Sequence, residues 1–241
     1  MTYQHRDLNL TDPTRGYLHF VLHTEPALGV AASSLNAVVP IKGQTPLELE
    51  WLDRLQRCEP NSLHCALVEQ SRIPALFQPC VEDDQRSPST AAGAVGCVCR
   101  RAYYDPQSGL PVVAKHLKQA GTGAADRWTF DTYAPLALRP LDRLHHFMVS
   151  GGRFWARTAK GVLSILPQQR GTRYNIGYSG GGPHALAAYL TQIADSDGRN
   201  TAAGAPYETA HPAIVKWAES PAVWRGTNEL TLQDLKALQQ G

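Results

Sequence analysis

The chain has 241 residues, of which 43% are hydrophobic, so it can bury a core as one large domain or as two smaller ones. No segment approaches the roughly 20 apolar residues of a membrane-spanning helix, and the polar start Met1–Arg6 is unlike a signal peptide. Five cysteines, an odd number, argue against a disulfide framework, so we expect a cytoplasmic protein with no membrane partner.

The net charge of +2 hides an uneven distribution along the chain. Residues 1–99 carry 7 basic and 11 acidic groups, residues 100–175 carry 12 and 4, and residues 176–241 carry 4 and 6. We call residues 100–175 the basic block. It could present a positive face to a phosphate-bearing ligand or a nucleic-acid backbone, or it could be a solvated surface that pairs with the acidic first segment.

The first third of the chain predicts strands and short helices. Strands are expected at 16–23 and, less regularly, at 28–41. Thr45, with Pro46 and Glu48 after it, has the spacing of a capping box, which predicts a helix as far as about Cys58. A further short helix should open at Ser62 and end before Pro74, and residues 83–90 have the composition of a loop.

The remainder predicts β structure followed by helices. Strands are expected at 94–104, returning through a turn into 110–113, and at 146–149, 153–157, 161–166 and 174–177. Residues 128–133 alternate as a half-buried strand does. Pro183 is expected to begin a helix that stops by Gly198, and two more helices should lie near 213–219 and 232–239. These elements predict an α+β fold, with a mixed region over 1–140 and a β-meander plus helix module with a helical tail over 141–241.

A glycine-rich turn, Gly177-Tyr178-Ser179-Gly180-Gly181-Gly182-Pro183, carries the sharpest chemical signal. Its first five residues fit G-x-S-x-G, and the longer string resembles the nucleophile elbow of α/β-hydrolases. That resemblance implies Ser179 as a nucleophile, with Asp197 and His211 as its acid and base. Only 62 residues follow Ser179, and no apolar strand separates Asp197 from His211, so a serine hydrolase is the alternative function.

Residues 147–194 also resemble an uncharacterised small domain of phage, plasmid and bacterial proteins. That domain has the signature W-G-Y-G-G-S-G-P-x-x-L-A at the same strand-to-helix junction. This chain has Ile176 where the family has tryptophan, and its serine and glycine positions are permuted. The resemblance implies no known reaction.

The three glycines before Pro183 allow a ligand to approach the backbone closely, and the first N–H groups of the helix attract anions. Alternatively, they only form a tight, left-handed entry that packs Leu186 and Leu190 under the meander. The candidate ligand-binding residues are Gly180, Gly181, Gly182, His184, Arg153, Arg157 and Arg173.

Zinc binding by Cys65, Cys80, Cys97 and Cys99, with His64 nearby, is a further possibility. The spacings match no common zinc module, so we expect buried thiols, no metal and no cofactor. The sequence therefore predicts a non-catalytic accessory or interaction protein of the kind that mobile genetic elements encode. It would bind phosphate or nucleic-acid backbone; a purely protein-binding module is a third possibility.

Overall fold

A computed structural model describes residues 36–68, 97–118, 127–224 and 228–240. Within these ranges the chain forms two antiparallel sheets with helices, which confirms the α+β class. The predicted strand at 16–23 and the predicted loop at 83–90 lie outside the described residues. None of the helices in the described ranges has the length and apolar character that crossing a bilayer requires.

Sheet 1 has five strands in the order β1-β5-β4-β3-β2. All of its neighbours are antiparallel, and the β3–β4 pair is the longest, with a register from Cys97 opposite Lys118 to Tyr104 opposite Pro111. The strands are β1 (Val38–Ile41), β2 (Gln56–Arg57), β3 (Cys97–Tyr104), β4 (Pro111–Lys118) and β5 (Arg127–Tyr133).

Sheet 2 has four strands in the order β8-β7-β6-β9. The predicted meander forms its β6–β7–β8 part, and β9, which we did not predict, adds to the free edge of β6. The strands are β6 (Leu144–Ser150), β7 (Arg153–Thr158), β8 (Leu163–Ile165) and β9 (Asn228–Thr231).

The helices are short, apart from one. The exception is α3, which buries nearly all of one side, including Leu186, Tyr189 and Leu190. The helices are α1 (Pro46–Asp53), α2 (Ser62–Leu67), α3 (Gly181–Asp195), α4 (Pro212–Glu219), α5 (Pro221–Trp224) and α6 (Leu232–Gln240), with a 3₁₀ turn at Tyr207–Thr209.

Successive side chains on the strands of sheet 2 point to opposite faces, and each face packs against a different part of the protein. On β6, Phe147 packs toward α3, whereas Met148 packs into a cluster shared with sheet 1. On β7, Ala156 and Trp155 divide in the same way. Helices α3, α4 and α6 therefore cover one face of sheet 2, and sheet 1 with α1 covers the other. Helix α2 packs on the outer face of sheet 1 through Leu67.

The predicted division at residue 140 falls between the two sheets, because β5 ends at Tyr133 and β6 begins at Leu144. The cluster between the sheets draws on both sides of that division, since it includes Trp51 from α1 and Trp155 from β7. The division of the chain into two domains at residue 140 stays a prediction.

The local sequence signals predicted where helix α1 begins, but they did not predict where it ends. The Thr45 capping box forms as expected, with Glu48 accepting from the Gln44 and Thr45 N–H groups. Helix α1 nevertheless ends at Asp53, because residues 56–57 pair with β3 instead of continuing the helix. The predicted strand at 174–177 does not form, as this segment lies outside both sheets.

A buried carboxylate, Asp105, connects α1 to the turn between β3 and β4. It is 3% exposed and accepts five hydrogen bonds, two of them from the Arg54 guanidinium at 2.9 and 2.7 Å. Trp51 Nε1 donates another, at 3.3 Å, and the Arg54 guanidinium also donates to the carbonyl of Leu163 on β8. The carboxylate therefore links α1, sheet 1 and sheet 2.

We predict that Asp105→Asn lowers the free energy of unfolding by about 3–5 kcal/mol, because it leaves the largely buried Arg54 charge unpaired. Urea unfolding would measure the loss. Asp53→Asn is the matched control, because Asp53 is the exposed last residue of α1, next to Arg54. This change should alter stability by less than about 0.5 kcal/mol. A neutral result for Asp105→Asn would contradict the bridging role.

His64, on α2, is 1% exposed, and its Nε2 contacts the carbonyl of Tyr103 at 2.9 Å. Burial lowers the pKa of His64 below its ordinary value of 6.5, although the Tyr103 carbonyl opposes the shift. Because the folded pKa is the lower one, the unfolded chain binds the proton more readily. The stability contribution is present above pH 6.5 and is lost as the pH falls from there through the folded pKa.

We therefore expect the free energy of unfolding to decrease below pH 6.5, and His64→Gln to remove part of that pH dependence. Unfolding titrations at a series of pH values would measure both slopes. His145→Gln, at an exposed position, is the comparison variant, and its slope is measured in the same way. Identical slopes for His64→Gln and the unaltered chain would show that His64 is not responsible.

Candidate functional site

The glycine-rich turn lies where the start of α3 meets the end of α4. Gly177 is left-handed, with φ of +85°, and its N–H donates to the carbonyl of Ala218 at 2.7 Å. Ser179 Oγ donates to Glu219 Oε1 at 2.8 Å. Both acceptors belong to the last residues of α4, so this helix holds the turn in place.

The three glycines at the start of α3 differ in the space around them. A Cβ at Gly182 would lie 2.8 Å from the carbonyl oxygen of Arg173, and one at Gly180 would lie 2.8 Å from a ring carbon of Tyr178. A Cβ at Gly181 would have no neighbour within 4 Å. None of the three is left-handed, so the left-handed entry that we considered belongs to Gly177 instead.

Helix α3 begins with N–H groups that no side chain caps. Its N-cap is Gly180, whose backbone is extended, and Pro183 has no N–H to donate. The N–H groups of Gly181 and Gly182 are therefore the first donors of a 15-residue helix. The partial positive charge of a helix N-terminus is located at such groups.

Aromatic side chains surround this helix start. Tyr178 is 48% exposed and Tyr207 is 51% exposed. The His184 ring stacks on the Tyr207 ring with centroids 3.9 Å apart, and its Nε2 lies 3.1 Å from the Tyr207 carbonyl. A carbonyl only accepts hydrogen bonds, so Nε2 is the protonated nitrogen of His184.

The predicted triad residues do not lie within hydrogen-bond reach of one another. Ser179 and Asp197 flank opposite ends of α3, whose 15 residues span about 22 Å. Asp197 bonds to Lys236 Nζ at 2.5 Å, which holds the pKa of that carboxyl below its ordinary value. His211 is the N-cap of α4, where its Nδ1 accepts from the N–H of Ala213 at 3.3 Å. Ser179 instead has a carboxylate partner, Glu219, that the sequence analysis did not identify.

Of the three candidate arginines, Arg173 lies beside the glycine-rich turn, and its side chain is exposed. Arg153 and Arg157 share one face of β7 with Trp155, and that face points to sheet 1 and away from α3. Arg153 Nε donates to the carbonyl of Pro40 at 2.6 Å.

Arg157 forms a two-pronged ion pair with Glu50 on α1, with both N–O distances 2.8 Å. The hydrogen bond to Arg157 lowers the pKa of Glu50, and the same bond raises the pKa of Arg157. Arg157 is thus already bound to a carboxylate.

Much of the basic block is paired within the protein. Lys115 pairs with Asp131 on the neighbouring strand, Arg143 with Asp197, and Lys160 with Asp142. The Arg101 guanidinium lies over the ring of Trp128, 4.4 Å from its centroid. The exposed arginines of the block for which the described residues supply no ion pair are Arg127, Arg139, Arg170 and Arg173.

The cysteines that the structure describes do not form a metal site. Cys58, Cys65 and Cys99 are free thiols, and within the described ranges no three His, Cys, Asp or Glu side chains are grouped to hold a metal ion. Cys80 lies outside those ranges. Cys58 Sγ is 3.7 Å from His64 Nε2, but burial and the neighbouring Glu59 raise the pKa of its thiol, which disfavours the reactive thiolate.

Comparisons with known proteins add no relative: no family model, no curated protein and no solved structure matches this chain. The resemblances of the glycine-rich turn therefore stay predictions.

We predict that a fluorophosphonate probe does not label Ser179, because its hydroxyl donates to Glu219 and the predicted base, His211, is at the far end of the eight-residue α4. Mass spectrometry of the probe-treated protein would measure the adduct, with Ser179→Ala as the control. Stoichiometric labelling that disappears in Ser179→Ala would establish the hydrolase alternative.

Proposed function

We propose that this protein binds a phosphate-bearing ligand, without catalysis, at the N-terminus of α3. The observation that supports the proposal is the pair of side-chain-uncapped N–H groups at Gly181 and Gly182, together with the open space at Gly181. A phosphate oxygen at this position would accept from two backbone donors and meet the positive end of the helix.

The charged side chains around the turn influence how strongly an anion can bind there. Arg170 and Arg173 are exposed on the segment that leads into the turn, and the Arg173 carbonyl lies beside Gly182. We infer that a guanidinium from this segment contacts an anion beside α3. Glu219 contributes an opposing carboxylate next to Ser179. We infer that binding is weak with the Glu219 charge present and that it depends on the arginines to offset this charge.

Arg153 and Arg157, which we predicted as ligand contacts, are not part of the proposed site. Their guanidinium groups bond to Pro40 and Glu50 on the far side of sheet 2. Charge reversal there would break internal contacts, so a loss of binding in such variants would not identify a ligand surface. The proposed interaction with nucleic acid is accordingly limited to a few backbone phosphates near Arg173.

We expect inorganic phosphate to shift the amide resonances of Gly181 and Gly182 in a ¹⁵N-labelled sample. Gly181→Pro should weaken phosphate binding about tenfold, since proline is tolerated at the first helical position but lacks the N–H, and a hydrogen bond to a charged group is worth about 1.5 kcal/mol or more. Gly181→Ala retains the N–H, fits the open space and should bind as the unaltered chain does.

Two further variants test the charges of the proposed site. Arg173→Gln should weaken binding and Glu219→Gln should strengthen it, whereas Arg199→Gln, at the other end of α3, should have no effect. Anisotropy titrations with a short single-stranded oligonucleotide at increasing salt measure how many phosphates are contacted. The absence of phosphate binding and of oligonucleotide binding at low salt would refute the proposal.

The proposed setting is the cytoplasm, as part of an accessory or interaction protein. The free thiols of Cys58, Cys65 and Cys99 support a reducing compartment.

A further inference from the structure

A cavity of about 590 Å³ lies at one end of the contact between the two sheets, away from the glycine-rich turn. Its walls come from the β3–β4 turn (106–110), the link from β5 to β6 (135–142), and the end of β7, the β7–β8 turn and β8 (158–164). The volume is within the roughly 300–1,000 Å³ typical of small-molecule sites.

The inner wall of the cavity is largely apolar. Leu110, Leu136, Leu138 and Val162 line it. The hydroxyls of Ser108 and Thr158, which also line it, bond to the Asp105 carboxylate and the Val162 N–H. The Ser164 hydroxyl donates to the carbonyl of Ile165 at 3.0 Å, so it does not offer its proton to a ligand. The wall therefore suits a hydrocarbon or ring surface.

Two charged residues line the cavity, and only one of them is balanced by a described partner of opposite charge. Asp142, 8% exposed, pairs with Lys160 Nζ at 2.9 Å. Arg139 donates from Nη2 to the carbonyl of Pro106 at 3.0 Å, which leaves the guanidinium positive and the rest of its N–H groups available. The same hydrogen bond fixes the guanidinium between two walls of the cavity, because Pro106 and Arg139 both line it.

We propose that this cavity binds a small amphipathic carboxylate, with the apolar body between Leu136, Leu138 and Val162 and the carboxylate on Arg139. A planar guanidinium binds a carboxylate through two parallel hydrogen bonds, which gives the ligand a defined orientation. The site is independent of the phosphate site, which lies on the other face of sheet 2.

Octanoate and n-octylammonium are suitable probes, because they share the apolar chain and carry opposite charges. Isothermal titration of the full chain should show one octanoate per chain and at least about tenfold weaker binding of n-octylammonium. Arg139→Gln should weaken octanoate binding about tenfold, since one charge-assisted interaction is lost. Arg127→Gln removes an exposed arginine at the other end of β5 and should leave binding unchanged.

A second test uses a substitution that fills the cavity. Ala137→Trp places a large side chain at the wall and should abolish octanoate binding, with thermal unfolding used to verify that the variant is folded. Gly181→Pro should not alter octanoate binding, which separates this site from the phosphate site. The proposal is overturned if octanoate does not bind, if both probes bind equally, or if Arg139→Gln binds octanoate as tightly as the unaltered chain.

Discussion

The structure depends most on the ion pair between Asp105 and Arg54. The two sheets meet through an apolar cluster. Because hydrophobic contacts have no direction, this cluster alone defines the relative position of the two sheets only weakly. The Asp105 carboxylate adds directional contacts, because the five hydrogen bonds that it accepts fix the Trp51 indole and the β3–β4 turn. Arg54, which is bound to this carboxylate, also donates a hydrogen bond to β8. That turn also forms a wall of the cavity, so the geometry of the cavity follows from the ion pair.

The glycine-rich turn shows how one sequence pattern can satisfy several local requirements. Gly177 is needed for its left-handed backbone, Gly182 for its contact with the chain at Arg173, and Gly180 for its contact with Tyr178. Gly181 has none of these constraints. The open space at Gly181 lets a ligand approach the backbone there, which is the physical basis for centring the proposed phosphate on Gly181, with the Gly182 N–H as its second donor.

Local signals in the sequence predicted the elements of this fold better than its long-range contacts. The capping box at Thr45 and the meander of sheet 2 depend on residues close in sequence, and both were predicted. The addition of β9 to β6 joins segments about 80 residues apart, and no local pattern indicates it. The contact of Ser179 with Glu219 spans 40 positions, so the serine's real partner could not be inferred from the turn. The elbow motif predicted a strand before the serine, but Tyr174 and Ile176 are buried without pairing in a sheet.

Within the described residues, carboxylates from distant parts of the sequence offset several charges of the basic block, and antiparallel pairing explains part of this. In such a sheet, residues distant in sequence become direct neighbours, so Lys115 of β4 lies next to Asp131 of β5 and its charge is offset there. Helix α1, from the acidic first segment, packs at the edge of sheet 2 and brings Glu50 to Arg157. Charge segregated along a chain is thereby mixed in space. Of the exposed arginines of the basic block without a described ion pair, Arg127 begins β5, whereas Arg139, Arg170 and Arg173 lie on irregular segments, where no neighbouring strand supplies a carboxylate.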